Sequence, residues 1–473
     1  MQAETEAGGQ GQEANRIDML EGPLLSKIIL FAIPVALSGV LQMLFNAVDS
    51  SFAGQFVGST ALAAVGMDSQ VTGFLVNLVL GVSTGATVVI AQCMGSGHRD
   101  GIHAAVHTTY LFAVVGGIVL GILGILLATP ILQLLSTPDN VMDEARIYLR
   151  IYCLGLPFSM VYNFVSAIMR SVGDTRRPLY ALIASGVLNI ALNAVSVLVL
   201  DSGIAGIAVS TSISNLLAAV MVTAFLAREG GDLRLDIRQL GFDAEALGKI
   251  LRIGIPTGLQ GVLFSFSNVC IQSGINVCGS DAIAGSSAAG YFEQFNFSVI
   301  TGFIQAGITF TSQNYAAGKL DRCQRTARLV FACALAAAFI DIAVLVGFRD
   351  SFIGLFTSEA GAASYAEYRM LHVLGLGWML VFYEIPGGIM RGYGYSLTPS
   401  IIAVFGTCVL RLVWLFAAFP QDPTFEFLLV CYPLSWIACS VATDIAYVIV
   451  RRRAWRAAEE RDGDGGNEVL QEA

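Results

Sequence analysis

The sequence predicts an all-α membrane protein with twelve transmembrane helices in two parallel six-helix repeats. Composition is the first observation, because 55 % of the 473 residues are hydrophobic and only 13 % are charged. Soluble domains carry about 25 % charged residues, so this chain has too little charge to cover a soluble surface. The second observation is a series of long apolar stretches, and the third is an internal repeat of the sequence.

Twelve stretches are long enough to cross a bilayer, which needs about 20 mostly apolar residues per helix. The short alternating segments that are typical of β-barrels do not occur. The predicted spans are residues 26–50, 58–90, 104–129, 147–168, 178–200, 204–226, 250–277, 283–312, 326–347, 367–389, 399–419 and 425–450.

Basic residues predict the orientation, because cytoplasmic loops carry an excess of Lys and Arg. Placing both termini in the cytoplasm puts most of the 26 Lys and Arg on that side, including Arg451, Arg452 and Arg453. Arg369 is one of the few basic residues that this orientation places on the outer side.

The two halves of the sequence match at a shift of about 221 positions. Arg170, Gly173 and Pro178 recur as Arg391, Gly394 and Pro399, and Gln92, Gly97 and Asp100 recur as Gln313, Gly318 and Asp321. Six spans per half bring both halves into the membrane from the same side, which makes the repeats parallel. The predicted segments are a disordered tail (1–24), a six-helix lobe (25–226), a cytoplasmic linker (227–249), a second lobe (250–453) and a disordered tail (454–473). Two similar bundles favour alternating access and hence a secondary transporter.

The sequence argues against several other classes of function. It contains no GxxxxGK[ST] loop for ATP, no HExxH motif and no convincing Ser/His/Asp set, so neither an enzyme nor a cofactor is predicted. His103 and His107 stand one helical turn apart but lack a third ligand nearby, so no metal site is predicted. The net charge of −9 argues against nucleic acid as a partner.

Polar side chains inside spans are costly and are functional candidates by default. At a rise of about 1.5 Å per residue, Asp49, Asn189, Asn193 and Thr211 are predicted to lie at similar depth in the first bundle. Asn189 and Asn193 share a helix face because they are four residues apart. These groups could coordinate a small cation through oxygen, or Asp49 could carry a proton. In the structural alternative, Asp49 caps the end of its span and the two Asn side chains hold helices together.

A second polar set is predicted in the second bundle. Arg411 lies near mid-depth and is predicted to pair with Glu293, either as a fixed ion pair or facing a substrate. Glu384 is a further acidic candidate. Polar lining, with interhelical contacts as the alternative, is predicted for Asn268, Gln272 and Asn296. Asp341 is expected to reach toward the membrane surface, and Asp68 is given no role.

Three segments carry a resemblance to a known family: IPVALSGVLQMLFNAVDSSFAGQFVGSTALAAVG, MRSVGDTRRPLYALIASGVLNIALN and IMRGYGYSLTPSIIAVFGTCVLRLVW. Over about residues 25–450 the chain resembles the multidrug and toxic compound extrusion (MATE) family. The resemblance implies a V-shaped, two-lobe fold and export driven by inward Na⁺ or H⁺. In the branch that includes the DNA-damage-inducible exporters it implies a cation or proton site at Asp49, Asn189, Asn193 and Thr211. Asn193 replaces an acidic residue of that branch, so Asp49 would carry the coupling alone.

The function predicted is therefore a secondary active multidrug exporter, a cation (H⁺ or Na⁺)/drug antiporter in the cytoplasmic (inner) membrane of a bacterium. Its predicted partners are amphiphilic or cationic small molecules and membrane lipids, and it is predicted to be a monomer without cofactors. A flippase for lipid-linked precursors is the alternative, although such proteins tend to have a strongly basic cavity and only Arg411 lies inside the membrane here. A membrane-embedded enzyme or a receptor is a third alternative, and neither accounts for the repeat.

Overall fold

The computed structural model of the protein describes residues 16–135, 137–357 and 359–471, with side chains described as far as Glu460. In this part of the chain twelve long helices contain most residues, and no β-strand occurs. The helices are α1 (Leu24–Val57), α2 (Ser59–Ser96), α3 (Arg99–Leu134), α4 (Asp139–Ser171), α5 (Arg176–Val199), α6 (Gly203–Ala227), α7 (Ala244–Val277), α8 (Ser280–Ala316), α9 (Leu320–Gly347), α10 (Ala360–Gly392), α11 (Leu397–Gln421) and α12 (Cys431–Gln471).

The helices have the length and surface of membrane spans. Eleven helical segments are long and apolar enough to cross a bilayer, in agreement with eleven of the twelve predicted spans. The other predicted span, 283–312, lies in α8, which has 37 residues but carries more polar side chains. Large apolar side chains such as Leu126 and Val199 are 68 % and 74 % exposed, as expected where a helix faces lipid rather than water.

The chain divides into two compact units. Among the described residues, the N-terminal unit contains 16–17, Leu37–Met94 and His98–Gly258, and the C-terminal unit contains Asp18–Ala36, Gly95–Gly97 and 259–471. The division therefore falls inside α1 and α7, whereas the predicted lobes 25–226 and 250–453 were separated at the polar linker. Hydropathy shows where a chain leaves the membrane, but it does not show which neighbours a helix packs against.

Glycines explain how the first half of α7 packs against α2 within the N-terminal unit. A Cβ atom on Gly85 would lie 2.2 Å from the carbonyl oxygen of Ile250, and one on Gly81 would lie 2.3 Å from the α7 backbone. The corresponding crossing occurs in the C-terminal unit, where a Cβ on Gly302 would lie 2.5 Å from the carbonyl oxygen of Ala32. Gly81 and Gly302 are related by the sequence repeat, so both units use the same close helix contact.

The repeat is also present in the backbone conformation. Three of the glycines with positive φ in the first half have a counterpart with positive φ 221 positions later. The pairs are Gly58 and Gly279, Gly97 and Gly318, and Gly173 and Gly394. Glycine adopts positive φ without the steric cost that other residues meet, so equivalent helix ends in the two halves are built by the same turn.

Both predicted tails are partly packed in the structure. In the segment predicted as tail 1–24, Met19 is buried and its carbonyl oxygen accepts hydrogen bonds from Asn314 (3.1 Å) and Arg322 (3.0 Å). At the other end α12 continues through the predicted tail 454–473 as far as Gln471, and Tyr315 donates a hydrogen bond to the carbonyl of Ala454. Ala, Arg and Glu after residue 453 favour a helix, so polar composition alone did not mark its end. Residues 1–15 and 472–473 lie outside the described residues.

The linker 227–249 is attached to the N-terminal unit by side chains of α3. The backbone N–H of Asp236 donates to Nε2 of His107 (3.0 Å), and that of Asp243 donates to Oγ1 of Thr108 (2.9 Å). Where the structure describes side chains, no three His, Cys, Asp or Glu residues form a group that could hold a metal ion. His107, which stacks on His103, is therefore an anchor for the linker.

Candidate functional site

The four residues predicted for the first bundle meet in the N-terminal unit around one carboxylate. Asp49 is 6 % exposed; its Oδ1 accepts a hydrogen bond from Nδ2 of Asn193 (2.5 Å), and its Oδ2 accepts one from Oγ1 of Thr211 (3.1 Å). Asn189 completes the group, since its Nδ2 donates to Thr211 (3.4 Å) and its Oδ1 accepts from Asn193 (3.3 Å). We call Asp49, Asn189, Asn193 and Thr211 the Asp49 cluster.

A small residue on α5 lets α1 come close enough to form this cluster. A Cβ atom on Gly186 would lie 1.8 Å from the ring of Phe45, which stands one turn before Asp49 on α1. Gly186 stands one turn before Asn189 and two turns before Asn193, on the same face of α5. The ring of Phe45 therefore occupies the space that a larger residue at position 186 would fill.

Two of the three helices that carry the cluster, α1 and α5, change their winding just beyond it. α1 becomes a π-helix at Ala53–Val57, four residues after Asp49, and α5 becomes a π-helix at Val195–Val199, two residues after Asn193. Such π segments are frequent at functional sites because they redirect side chains and weaken the regular backbone hydrogen bonding. On both α1 and α5, the cluster thus lies where the regular α-helix ends and the π-helix begins.

The chemistry of the cluster is that of an oxygen-rich anionic site. Hydrogen bonds from Asn193, Thr211 and Asn189 act on Asp49, and no Lys or Arg of the described chain neutralises it. Oδ1 of Asn193 is buried and has no hydrogen-bond partner in the described structure. Carboxylate, amide and hydroxyl oxygens are ligands suited to hard cations. The cluster can therefore hold one small cation or one proton.

The predicted pair of Glu293 and Arg411 does not form, because Glu293 binds Arg369 instead. Nε and Nη2 of Arg369 lie 2.6 and 2.9 Å from the two carboxylate oxygens of Glu293, a bidentate ion pair. Arg369 is 7 % exposed and also donates to Ser286. Depth along a helix gave the height of Glu293 in the bundle but not the direction in which its side chain points, so the prediction chose the wrong arginine.

Arg411 is held in the C-terminal unit by neutral groups. It is 1 % exposed, donates to Oγ of Ser435 (3.0 Å) and Oδ1 of Asn268 (3.5 Å), and its guanidinium lies 4.4 Å from the ring centroid of Tyr432. Asn268, which was predicted as polar lining with an interhelical contact as the alternative, thus contacts Arg411 from α7. These contacts replace part of the solvation that the guanidinium loses on burial.

Two other predicted residues of the second bundle make different contacts. Gln272 donates to Asn276 on its own helix (3.1 Å). Glu384 is half-buried on α10, and the positive charge acting on it is that of Arg391, which itself donates to Gln260 (2.8 Å). The five candidates of the second bundle therefore do not form one cluster.

Two carboxylates have positions that sequence reasoning missed. Asp341 accepts a hydrogen bond from Asn296 (2.8 Å), so the expectation that it reaches toward the membrane surface is wrong. This contact joins α8 to α9, in line with the interhelical role considered for Asn296. Asp68 is fully buried on α2. In the sequence, the only indication that Asp68 is buried was its position, ten residues after the start of the predicted span 58–90.

Comparison with known proteins decides the family. The profile of the MatE family matches residues 34–195 and again residues 256–416. The chain belongs to the MatE family. The two matches start 222 positions apart, which confirms the internal repeat, and the chain is accordingly a membrane transporter rather than an enzyme.

Individual relatives agree over most of the chain. It is 30 % identical to "Probable multidrug resistance protein YoeA" of Bacillus subtilis, over 80 % of this chain and 83 % of that protein. It is 27 % identical to "Probable multidrug resistance protein NorM" of Thermotoga maritima, over 84 % of this chain and 86 % of that protein. Among solved structures, "Outward-facing conformation of a multidrug resistance MATE family transporter of the MOP superfamily" superposes with a TM-score of 0.84 at 21 % identity, covering 93 % of this chain and 98 % of that one.

Proposed function

We propose that this transporter exports amphiphilic or cationic small molecules in exchange for H⁺ or Na⁺ that binds to the Asp49 cluster. The observation that carries the proposal is a carboxylate that is 6 % exposed, contacts only amide and hydroxyl groups and has no cationic partner in the described structure. A buried negative charge of this kind is costly unless a cation or proton neutralises it. The names of the relatives in Bacillus subtilis and Thermotoga maritima support multidrug compounds as the substrate class.

Thr211 gives the cluster a means to adjust to the bound or free ion. Its hydroxyl has one proton and two acceptors at 3.1 Å, Oδ2 of Asp49 and the carbonyl oxygen of Ile207. The proton can be donated to Asp49 while the carboxylate is charged and to Ile207 once the ion has bound. The unpartnered Oδ1 of Asn193 supplies a further oxygen for a cation, or an acceptor for a protonated Asp49.

The membrane potential supplies the free energy for such an exchange. One positive charge that moves inward across 100 mV releases about 2.3 kcal/mol. At about 1.4 kcal/mol per tenfold change, this sustains a gradient of about 40-fold for an uncharged substrate. A single ion on Asp49 is therefore sufficient for appreciable export of an uncharged substrate. A 1:1 exchange for a monovalent cation moves no net charge, so the concentration gradient of the driving ion supplies its free energy.

We place the protein in the cytoplasmic membrane of a bacterium with both termini in the cytoplasm. This orientation puts most of its 26 Lys and Arg residues, including Arg451, Arg452 and Arg453, on the cytoplasmic side. Such an excess of basic residues is typical of cytoplasmic loops.

The proposal is tested with purified protein in liposomes that contain a fluorescent lipophilic cation such as ethidium. A sodium gradient and a pH gradient are imposed separately, each with an ionophore control that dissipates it. We expect one of the two gradients to drive movement of the dye against its concentration. If neither gradient drives it, while the same liposomes exchange dye for dye, the coupling proposed here is wrong.

Replacing the hydroxyl of Thr211 tests the site within the same assay. Thr211→Val removes a hydrogen bond to a charged group, which contributes about 1.5–3 kcal/mol, so the apparent affinity for the driving ion should fall about 10- to 100-fold. Thr211→Ser is the matched control, because it keeps the hydroxyl and should stay near the wild-type affinity. Equal behaviour of the two variants would contradict a role for the hydroxyl.

A further inference from the structure

A second carboxylate is buried in the N-terminal unit without any hydrogen-bond partner. Asp68 lies on α2, ten residues into the helix, and its residue exposure is 0 %. Neither Oδ1 nor Oδ2 has a partner within the described structure. Buried polar groups almost always have one, so this side chain requires an explanation that packing does not give.

The surroundings of Asp68 are apolar on its own helix and on α4. Neighbours on α2, Ala64, Val65 and Val71, belong to one hydrophobic cluster that also contains residues of α4. The titratable groups that face the carboxyl come from α4: the thiol of Cys153 and the phenol of Tyr148, both of which interact electrostatically with Asp68. No Lys or Arg of the described residues acts on it.

Tyr148 connects this carboxyl to the Asp49 cluster. It is 7 % exposed, and its phenol interacts electrostatically with Asp49 as well as with Asp68, and with the neighbouring phenol of Tyr152. A phenol can donate one hydrogen bond and accept another. Tyr148 is therefore placed to sense the charge on both carboxyls.

The chemistry around Asp68 selects the ligand. An ionised carboxylate in an apolar site is very costly unless it is paired, so this group must be neutralised. A sodium ion needs several oxygen ligands, whereas neither carboxylate oxygen of Asp68 has a polar partner within the described structure, and the titratable groups that act on it are a thiol and a phenol. A proton needs only the carboxylate itself, because it forms the O–H bond of a neutral carboxylic acid.

We propose that Asp68 is a second proton-binding site of the N-terminal unit, which takes up and releases one proton in the same transport cycle in which the Asp49 cluster exchanges its ion. The carboxylate gains the proton from water on the side from which the coupling ion enters and returns it to water on the opposite side. Asp68 thereby supplies a second acid in a unit where position 193 is an amide. This inference rests on the exchange mechanism proposed above.

The first test measures the protonation of Asp68 without any transport. Infrared spectra of the full chain are recorded in a detergent that contains no carbonyl group, and protonated carboxyls are identified by their C=O stretching band. At neutral pH we expect the wild type minus Asp68→Asn difference to contain one such band, shifted by ²H₂O. Asp68→Leu should lose the same band, and Asp139→Asn, an exposed carboxylate of the same unit, should keep it.

The outcomes of this test are decisive in either direction. Size-exclusion chromatography selects folded protein, and the two replacements at position 68 report on the same band through different side chains. If folded Asp68→Asn and Asp68→Leu both retain the wild-type band, or if the wild type shows no protonated-carboxyl band at neutral pH, the inference is overturned.

The second test counts protons in liposomes, with ethidium as the transported probe. Asp68→Asn should move about one proton fewer per dye molecule than the wild type. At 100 mV the loss of one coupled charge lowers the maximum dye gradient about 40-fold. An unchanged proton count would overturn the role in the cycle. A failure of the Asp49 proposal gives a different result from a failure of this inference. In that case Asp49→Asn would show normal gradient-driven transport, while the infrared band of Asp68 would be unaffected.

Discussion

Replacing Asn193 by Asp puts a second carboxylate beside Asp49, where the amide nitrogen of Asn193 now lies 2.5 Å from Oδ1 of Asp49. Two negative charges about 4 Å apart repel by about 4 kcal/mol at an effective dielectric constant of about 20. This corresponds to about a 1000-fold preference for a state in which the pair shares one proton. In the wild type both oxygens of Asp49 accept hydrogen bonds, as an ionised carboxylate does, so we expect Asn193→Asp to bind one more proton than the wild type at neutral pH.

The assay for this prediction is the infrared band of protonated carboxyls, with proton-driven dye transport as the functional readout. The variant should gain one band relative to the wild type, and its transport should depend on the pH gradient. Asn276→Asp is the control, because this exposed amide of α7 contacts Gln272 rather than an acidic residue. If folded Asn193→Asp shows no additional band at neutral pH, both carboxylates are ionised, and the geometry of the cluster described here is wrong.

Two further variants test the packing of the two units. Glu293→Gln leaves the buried guanidinium of Arg369 without its charged partner and should lower the free energy of unfolding by about 3–5 kcal/mol, as measured by denaturant titration in detergent. Replacing both residues by Met should recover most of this loss. A double variant that folds but does not transport would show that the pair has a role in transport. Gly85→Ala forces a Cβ to within 2.2 Å of the carbonyl oxygen of Ile250 and should cost about 1–3 kcal/mol. Gly248→Ala, where a Cβ meets open space on α7, should stabilise the helix by up to about 1 kcal/mol, so equal effects of the two alanines would contradict the proposed close packing.

The sequence predicted the Asp49 cluster well because its members lie on three helices at one height, and height follows from residue counts alone. The same method failed for Glu293, whose partner depends on how α8 is rotated toward Arg369. It also failed for Asp341, because the amide of Asn296 that binds it belongs to another helix. Rotation about a helix axis is set by packing, which hydropathy and spacing do not report.

The repeat was predictable, but the division of the chain into units was not. Matching residues at a constant shift give the number of halves and their parallel relation, and the paired glycines at positive φ agree with this. The first half of α1 belongs to the C-terminal unit, where it contacts Gly302, and the first half of α7 belongs to the N-terminal unit, where it contacts Gly85. A glycine in a Gly-rich membrane sequence does not by itself reveal which helix it faces.

The most direct test of the central claim compares Asp49→Asn with the wild type in liposomes, in the absence and presence of an ion gradient. We predict that Asp49→Asn still exchanges external for internal ethidium when no gradient is imposed, but that it moves one coupled ion fewer per dye molecule, so that its maximum dye gradient at 100 mV falls about 40-fold. Asp139→Asn, an exposed carboxylate at the start of α4, should behave as the wild type in both conditions. Gradient-driven transport by Asp49→Asn at the wild-type rate would contradict the account.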